Sequence, residues 1–236
     1  MLAKPAGLSL ATPRADPHAA ARRLVDALVE RERRLLAQRE LHLVHRLDEP
    51  TSGLVVVALD AEMHAELSRA FGARRVTKLY LAVVWGRPRP RGGTLAGALG
   101  PDRADRRKMR VDPTGRPART DWWVVASAPY VSLVALWPRS GRTHQLRVHL
   151  ADAGHPIVGD DLYGGPRHRG VADRALRRAL EADRALLHAW RLELPSLVPS
   201  RFEAPPPRDF AAACAATSLD LAAAMELWQS APQSES

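Results

Sequence analysis

Apolar residues along the chain fall into blocks of two periods, and these blocks predict the elements. Residues 54–59 (LVVVAL) form a continuous apolar run that reads as a buried strand. Asp60 follows as an N-cap for a helix in which Met63, Leu67, Ala70 and Phe71 recur at three- and four-residue spacing. Residues 78–85 (KLYLAVVW) are dense in β-branched, aromatic and aliphatic side chains, which predicts a strand with Tyr80, Ala82 and Val84 on one face. Two more strands fit 121–126 and 130–137, joined by a short turn at Ala128 and Pro129. Thr143 is placed to cap a helix carrying Leu146, Leu150 and Ala153, which Gly154 closes. Residues 185–194 read as a late strand and 210–228 as an Ala-rich terminal helix. Ahead of all these lie a Lys-Pro-Ala-Gly turn at 4–7 and a charged helical stretch at 18–40. Strands grouped with occasional helices, without strict alternation or internal repeats, predict an α+β sheet fold in one domain over residues 1–236.

Composition narrows the class. With 46% hydrophobic and 26% charged residues in 236, the chain is an ordinary globular protein and neither disordered, collagenous nor coiled coil. No apolar run approaches the roughly 20 residues of a bilayer span, and the N-terminus has no signal-peptide block, so a cytoplasmic protein is expected. The lone Cys214 forms neither an internal disulfide nor a thiolate metal site. Charge adds more: 35 Lys plus Arg against 26 Asp plus Glu leave +9, which favours a polyanionic partner, nucleic acid ahead of membrane. Only three of the basic residues are lysines, so genome composition is a competing cause of the arginine excess. Residues 87–93 (RPRPRGG) and 103–119 (RADRRKMRVDPTGRPAR) are dense in guanidinium and poor in apolar periodicity. They read either as solvated surface or as a phosphate-gripping arm containing Arg103, Arg106, Arg107, Lys108 and Arg110.

Candidate chemistry concentrates in three segments. The first is His45-Arg46-Leu47-Asp48, then Glu49-Pro50-Thr51-Ser52-Gly53, directly before the apolar run. A carboxylate in a turn that enters a buried strand is both fixed and exposed, as catalysis requires, although an Asp in such a place also serves simply to bond the turn. The second holds Lys78 and Tyr80 on one face of a strand. The third runs from Gly141-Arg142-Thr143-His144-Gln145-Leu146-Arg147 through Gly154-His155-Pro156 to Gly159-Asp160-Asp161-Leu162-Tyr163-Gly164. There Arg142 lies at the mouth of a helix whose N-terminal amides attract anions.

The segment LHLVHRLDEPTSGLVVVALD resembles the active-site motif of the RluA-type pseudouridine synthases, which isomerise uridine in RNA. KPAGL, KLYLAVVWG, KMRVDPTGRPART, GRTHQLRVHLADAGHPIVGDDLYG and LLHAWRLELP resemble that family's successive motifs, in its order, from residue 4 to about residue 210. The resemblance implies the family's catalytic fold, a mixed, largely antiparallel bent sheet flanked by helices with an active-site cleft across it. Asp48 occupies the position of the catalytic aspartate, which acts in breaking the uracil N1 to C1′ bond before the base rejoins through C5. Attack at C1′, attack at C6 and removal of a ribose proton all need that carboxylate ionised. Arg142 matches the arginine that pairs with it. Tyr80 matches the tyrosine that packs on the target base and is a candidate for taking the C5 proton. Arg46 matches the arginine that helps displace the nucleotide, a step expected because a stacked base cannot be reached. Leu146 is expected to line the pocket, and Lys78, His45, Thr51, His144 and Arg147 complete the candidate substrate contacts.

The same resemblance implies no cofactor and no metal, a monomer, and ribosomal or transfer RNA as partner. The chain begins almost at the Lys-Pro-Ala-Gly turn, so the family's first strand is expected to be short or missing, and no S4-type RNA-binding domain is expected. Two rivals differ in class. His144, His149 and His155 with Asp160 or Asp161 are metal-ligand types in a short span, but His144 and His149 are five apart, which turns them roughly 140° from each other on a helix. A catalytically inert RNA-binding relative would be expected to lack Asp48, Tyr80 or Arg142, and all three are present.

Overall fold

A computed structural model of the protein describes residues 1–12, 15, 16, 18–28, 33, 34, 36, 39–195 and 197–227, the last three by backbone alone. In chain order its strands are β1 (Leu2–Lys4), β2 (His42–Leu43), β3 (Ser52–Val55), β4 (Val57–Ala58), β5 (Thr77–Trp85), β6 (Gly92–Ala96), β7 (Leu99–Pro101), β8 (Met109–Val111), β9 (Arg119–Ser127), β10 (Val131–Pro138), β11 (Leu187–Glu193) and β12 (Arg201–Glu203). The helices are α1 (Ala19–Asp26), α2 (Ala61–Gly72), α3 (Gln145–Asp152), α4 (Arg174–Ala179), α5 (Arg208–Ala216) and α6 (Ala222–Leu227). The chain divides into two compact units, Met1–Tyr80 with Leu187–Pro206, and Leu81–Leu186 with the chain from Pro207 onward. β5 runs through the boundary.

In the first unit β1 is antiparallel to β3, β3 is parallel to β11, and β12 is antiparallel to β11. So a strand does precede the Lys-Pro-Ala-Gly turn, three residues long. Gly53 pairs with Lys4 on one side and Ala189 on the other. At φ +118° it takes a backbone that side chains avoid, and a Cβ there would collide with the main chain of Ala189. Leu54, Val56 and Ala58 bury against Leu67 and Ala70 of α2 and Leu192 of β11. Asp60 caps α2 as the pattern predicts, its carboxylate accepting from the Met63 amide at 2.7 Å.

In the second unit β5, β10, β9 and β6 are neighbours in that order, with β9 antiparallel to both β10 and β6. β10 is buried along its whole length, as its apolar sequence requires. β7 and β8 form a separate antiparallel hairpin, whose Leu99 packs with Ala118 and with Val148 of α3. The fold is thus α+β with mixed strand directions, as expected.

Four expectations are corrected. The run 54–59 is two strands, because residues 52–55 pair with β1 and β11 whereas Val57 and Ala58 pair with β2, and Leu59 is exposed. Thr143 does not cap α3: His144 holds that position in a left-handed conformation, φ 55°, without a side-chain cap bond. The terminal helix is two helices. Thr217 Oγ1 donates back to the Ala213 carbonyl, Ser218 turns left-handed, and Asp220 accepts from Ala223 to start α6. Trp228, the expected end, lies outside the described residues. Of the stretch 18–40, Ala19–Asp26 and residues 33, 34 and 36 are helical, residues 27, 28 and 39 are not, and residues 29–32, 35, 37 and 38 lie outside the described residues.

Candidate active site

In the first unit the segment after β2 carries Arg46 and Asp48. Leu47 between them is anchored in a core of Leu10, Leu24, Val55 and Ala189, which leaves Arg46 exposed and Asp48 half-buried. The next residues close a turn, with the Thr51 amide donating to the Asp48 carbonyl at 3.0 Å. That turn is clamped from the N-terminus. The Glu49 carbonyl accepts from the Gly7 amide at 2.8 Å and from Lys4 Nζ at 3.1 Å, and Lys4 Nζ also donates to the carbonyls of Pro5 and Leu8. A buried ammonium is tolerated because three carbonyl dipoles surround it, and those bonds tie the Lys-Pro-Ala-Gly turn to the Asp48 loop. Thr51 is buried, its hydroxyl without a hydrogen-bond partner.

β5 supplies Lys78 and Tyr80. Burial, and after it the negative charge of Asp48, push the Tyr80 phenol up from its ordinary value. Both effects hold the proton on the phenol, opposite to what a proton acceptor needs. Burial and the neighbouring Arg74 lower the Lys78 ammonium to about 8. Burial lowers His45 further, to about 3, with Lys78 adding to the fall and a backbone hydrogen bond at Arg46 opposing it. Its Nε2 accepts from the Val56 amide at 3.1 Å and its ring stacks on Phe71. His45 is therefore a neutral strut between the Asp48 loop and the following strand.

In the second unit the Arg142 loop is held by Gln145. Gln145 Oε1 accepts from the Arg142 amide at 3.1 Å and from Ser140 Oγ at 2.8 Å, while its Nε2 donates to the Arg119 carbonyl and Thr120 Oγ1. Arg142 Nε donates to the Pro117 carbonyl at 3.2 Å. Thr120 Oγ1 passes the network to His149 Nδ1 at 3.0 Å, and His149 Nε2 reaches the Gly97 carbonyl. The left-handed His144 is held by Tyr163, whose hydroxyl contacts His144 Nδ1 at 2.8 Å and accepts from the Met109 amide. Leu146 is buried. Arg147, expected to contact substrate, is instead committed to Asp160 through two bonds of 2.7 Å, both side chains nearly inaccessible, because Asp160 also accepts the amides of Leu162 and Tyr163. His155 contacts the Trp85 carbonyl, and His144, His149 and His155 form no cluster of converging donor atoms among the described residues.

The basic segment 103–119 is more ordered than its composition suggests. It contains β8, and Asp102 closes the turn by accepting from Ala104 and Asp105. Arg107 is paired with Asp105 and Arg110 with Asp112, while Arg103 and Arg106 are exposed and Lys108 is half-buried.

The family model described as RNA pseudouridylate synthase matches residues 1–152, which hold both the Asp48 turn and the Arg142 loop. The chain belongs to this family. Within the RNA pseudouridylate synthases, an uncharacterized RNA pseudouridine synthase of Chloroflexus aurantiacus is 42% identical over 193 residues, 81% of this chain and 57% of that protein. The dual-specificity RNA pseudouridine synthase RluA of Escherichia coli is 42% identical over 178 residues, 75% of this chain and 78% of that protein. The chain thus spans little more than half of the first and about three quarters of the second. The solved structure of human RNA pseudouridylate synthase domain containing 4 superposes with a TM-score of 0.69 at 27% identity, covering 92% of this chain and 88% of that one. Sequence reasoning on the family's motifs missed the supporting roles of Lys4, Gln145 and Asp160, although each lies inside a quoted motif: KPAGL, GRTHQLR and GDDLYG.

Proposed function

We propose that this protein is an RNA pseudouridine synthase, converting uridine to pseudouridine in ribosomal or transfer RNA with Asp48 as the catalytic carboxylate. The observation that carries the reading is the Asp48 turn: a half-buried carboxylate on a loop clamped by Lys4 and Gly7, its charge felt by the Tyr80 phenol on β5. The reaction breaks the N1–C1′ bond, turns the base, forms C5–C1′, releases the C5 hydrogen as a proton and returns a proton to N1. Atoms balance without oxidation or hydrolysis. Asp48 acts as the carboxylate of the reaction, and Arg142 is assigned to assist it by its place in the GRTHQLR motif. Tyr80 packs on the target base, and the exposed Arg46 takes the space of the displaced nucleotide in the RNA stack. His45, Thr51, Lys78, His144 and Leu146 shape the surroundings of these groups. The protein acts as a cytoplasmic monomer and grips RNA through Arg103 and Arg106.

Because the C5 hydrogen is lost, tritium release from RNA carrying 5-tritiated uridine tests the reading directly. Wild-type protein should release tritium from one discrete site in ribosomal or transfer RNA. Asp48→Asn should lower the single-turnover rate by at least about 10³-fold while leaving thermal stability and RNA affinity nearly unchanged. Binding without release by the wild type would make the protein an inert RNA binder, and appreciable turnover by Asp48→Asn would remove Asp48 from its role.

A further inference from the structure

Among the described residues one group of His and acidic side chains brings its donor atoms together, and it lies apart from the catalytic motifs: His18 ahead of α1, Glu40, and His42 on β2. His18 Nε2 is 3.7 Å from Glu40 Oε1 and His42 Nε2 is 3.8 Å from the same oxygen, with all three donors within 4.8 Å of one another. Ligands of a tetrahedral zinc ion stand about 3.3–3.5 Å apart, so small side-chain shifts close the set around an ion. Glu40, 71% exposed, moves without disturbing any core contact.

Two further features point to a ligand. His18 Nδ1 lies 3.1 Å from the Leu41 carbonyl, which requires the ring hydrogen on Nδ1 and leaves the Nε2 lone pair facing the cluster. This is the outer-shell bond that metal-bound histidines make. His42 Nε2 is buried without any hydrogen bond, a cost that coordination removes. The rings of His18 and His42 meet edge to face with centroids 5.0 Å apart, and the His64 ring packs on the His42 ring at 5.4 Å.

The geometry points to a site for a zinc-type divalent cation, held by His18 Nε2, His42 Nε2 and Glu40 Oε1, with a fourth position open to water. The role is structural: the ion would tie the start of α1 to β2, six residues ahead of Asp48. Two imidazole donors select zinc, cobalt or nickel over magnesium or calcium. Arg22, Arg33, Arg34 and Arg39, which line the adjoining cavity with His18, Asp26 and Glu40, repel every divalent cation alike, so the selection rests on the imidazole donors. The expectation of no metal weighed only the histidines near α3, and the His18–Glu40–His42 group escaped it because 22 positions separate its first two members.

The test titrates chelator-stripped, full-length protein with zinc chloride by calorimetry and with cobalt chloride by visible absorption. One equivalent of zinc should bind, cobalt should develop a d–d band of tetrahedral intensity, and zinc should raise Tm. Glu40→Gln, at an exposed position, should leave the metal-free Tm unchanged and weaken zinc binding by more than about tenfold. His18→Ala with His42→Ala should abolish the cobalt band and the zinc-dependent rise in Tm. Absence of stoichiometric zinc binding by the wild type would overturn the proposal, as would zinc affinity undiminished in Glu40→Gln and in the double variant.

Discussion

His45 is neutral because the fold withholds water from its ring and sets Lys78 nearby, so its charged form belongs to the unfolded chain. With a folded value of about 3 against an ordinary 6.5, the unfolded state binds the extra proton throughout that interval. Stability therefore falls as pH drops through 6.5 toward 3, by on the order of 3 kcal/mol at about pH 4. His45→Gln keeps an acceptor for the Val56 amide and removes the titration. Between pH 7 and 4 the Tm of the wild type should fall more steeply than that of His45→Gln, and parallel curves would show that His45 does not carry the acid sensitivity. Lys78, lowered to about 8, adds a second dependence of the same sign, its burial cost present below pH 8 and relieved as pH rises toward 10.5. None of this was legible in the sequence, where His45 and Lys78 were placed only by motif. Desolvation is set by chain segments far away in sequence, such as Phe71 against the His45 ring.

At the scale of elements, local signals were legible and long-range ones were not. Asp60 capping α2 and the apolar density of β5, β9, β10 and β11 depend on neighbours in sequence, and the structure follows them. The break at Val56 is different, because Val56 turns its amide to His45 and its carbonyl to Val44, and no local rule announces that exchange of partners. The start of α3 is likewise decided by Gln145 and Tyr163 acting on residues 140–144. The stop within the C-terminal Ala-rich stretch was readable in Thr217, Ser218 and Asp220 but was outweighed by the alanines around it. The Arg147–Asp160 pair fastens α3 to the loop that carries Tyr163. Removing one member strands a buried charge, so Asp160→Asn should cost about 3–5 kcal/mol in denaturant unfolding. Arg147→Met with Asp160→Leu should cost less than Asp160→Asn alone, and equal or greater loss would show that the ion pair itself, not the unpaired charge, dominates.

For the whole molecule the net charge of +9 overstates the exposed cationic surface. Arginines are tied into the fold throughout: Arg119 and Arg139 share Asp121, Arg184 holds Asp209, Arg191 holds Glu203 and Arg147 is buried on Asp160. The two readings of the arginine excess, structural use and phosphate grip, thus apply to different residues. The β7–β8 hairpin separates them within one loop. Arg107 is already paired with Asp105, whereas Arg103 and Arg106 are exposed. An arginine beside its own carboxylate adds no net charge against a phosphate, while one that brings its full charge releases a counterion from the RNA. Removing Arg103 and Arg106 together should therefore weaken RNA binding and lower the slope of log K against log salt by about 0.7–0.9 per lost phosphate contact. Removing Arg107 together with Asp105, which leaves the net charge unchanged, should leave that slope where it was. Filter binding across a salt series decides the matter: equal slopes for wild type and the Arg103/Arg106 variant would make the hairpin ordinary surface and move the RNA grip elsewhere on the protein.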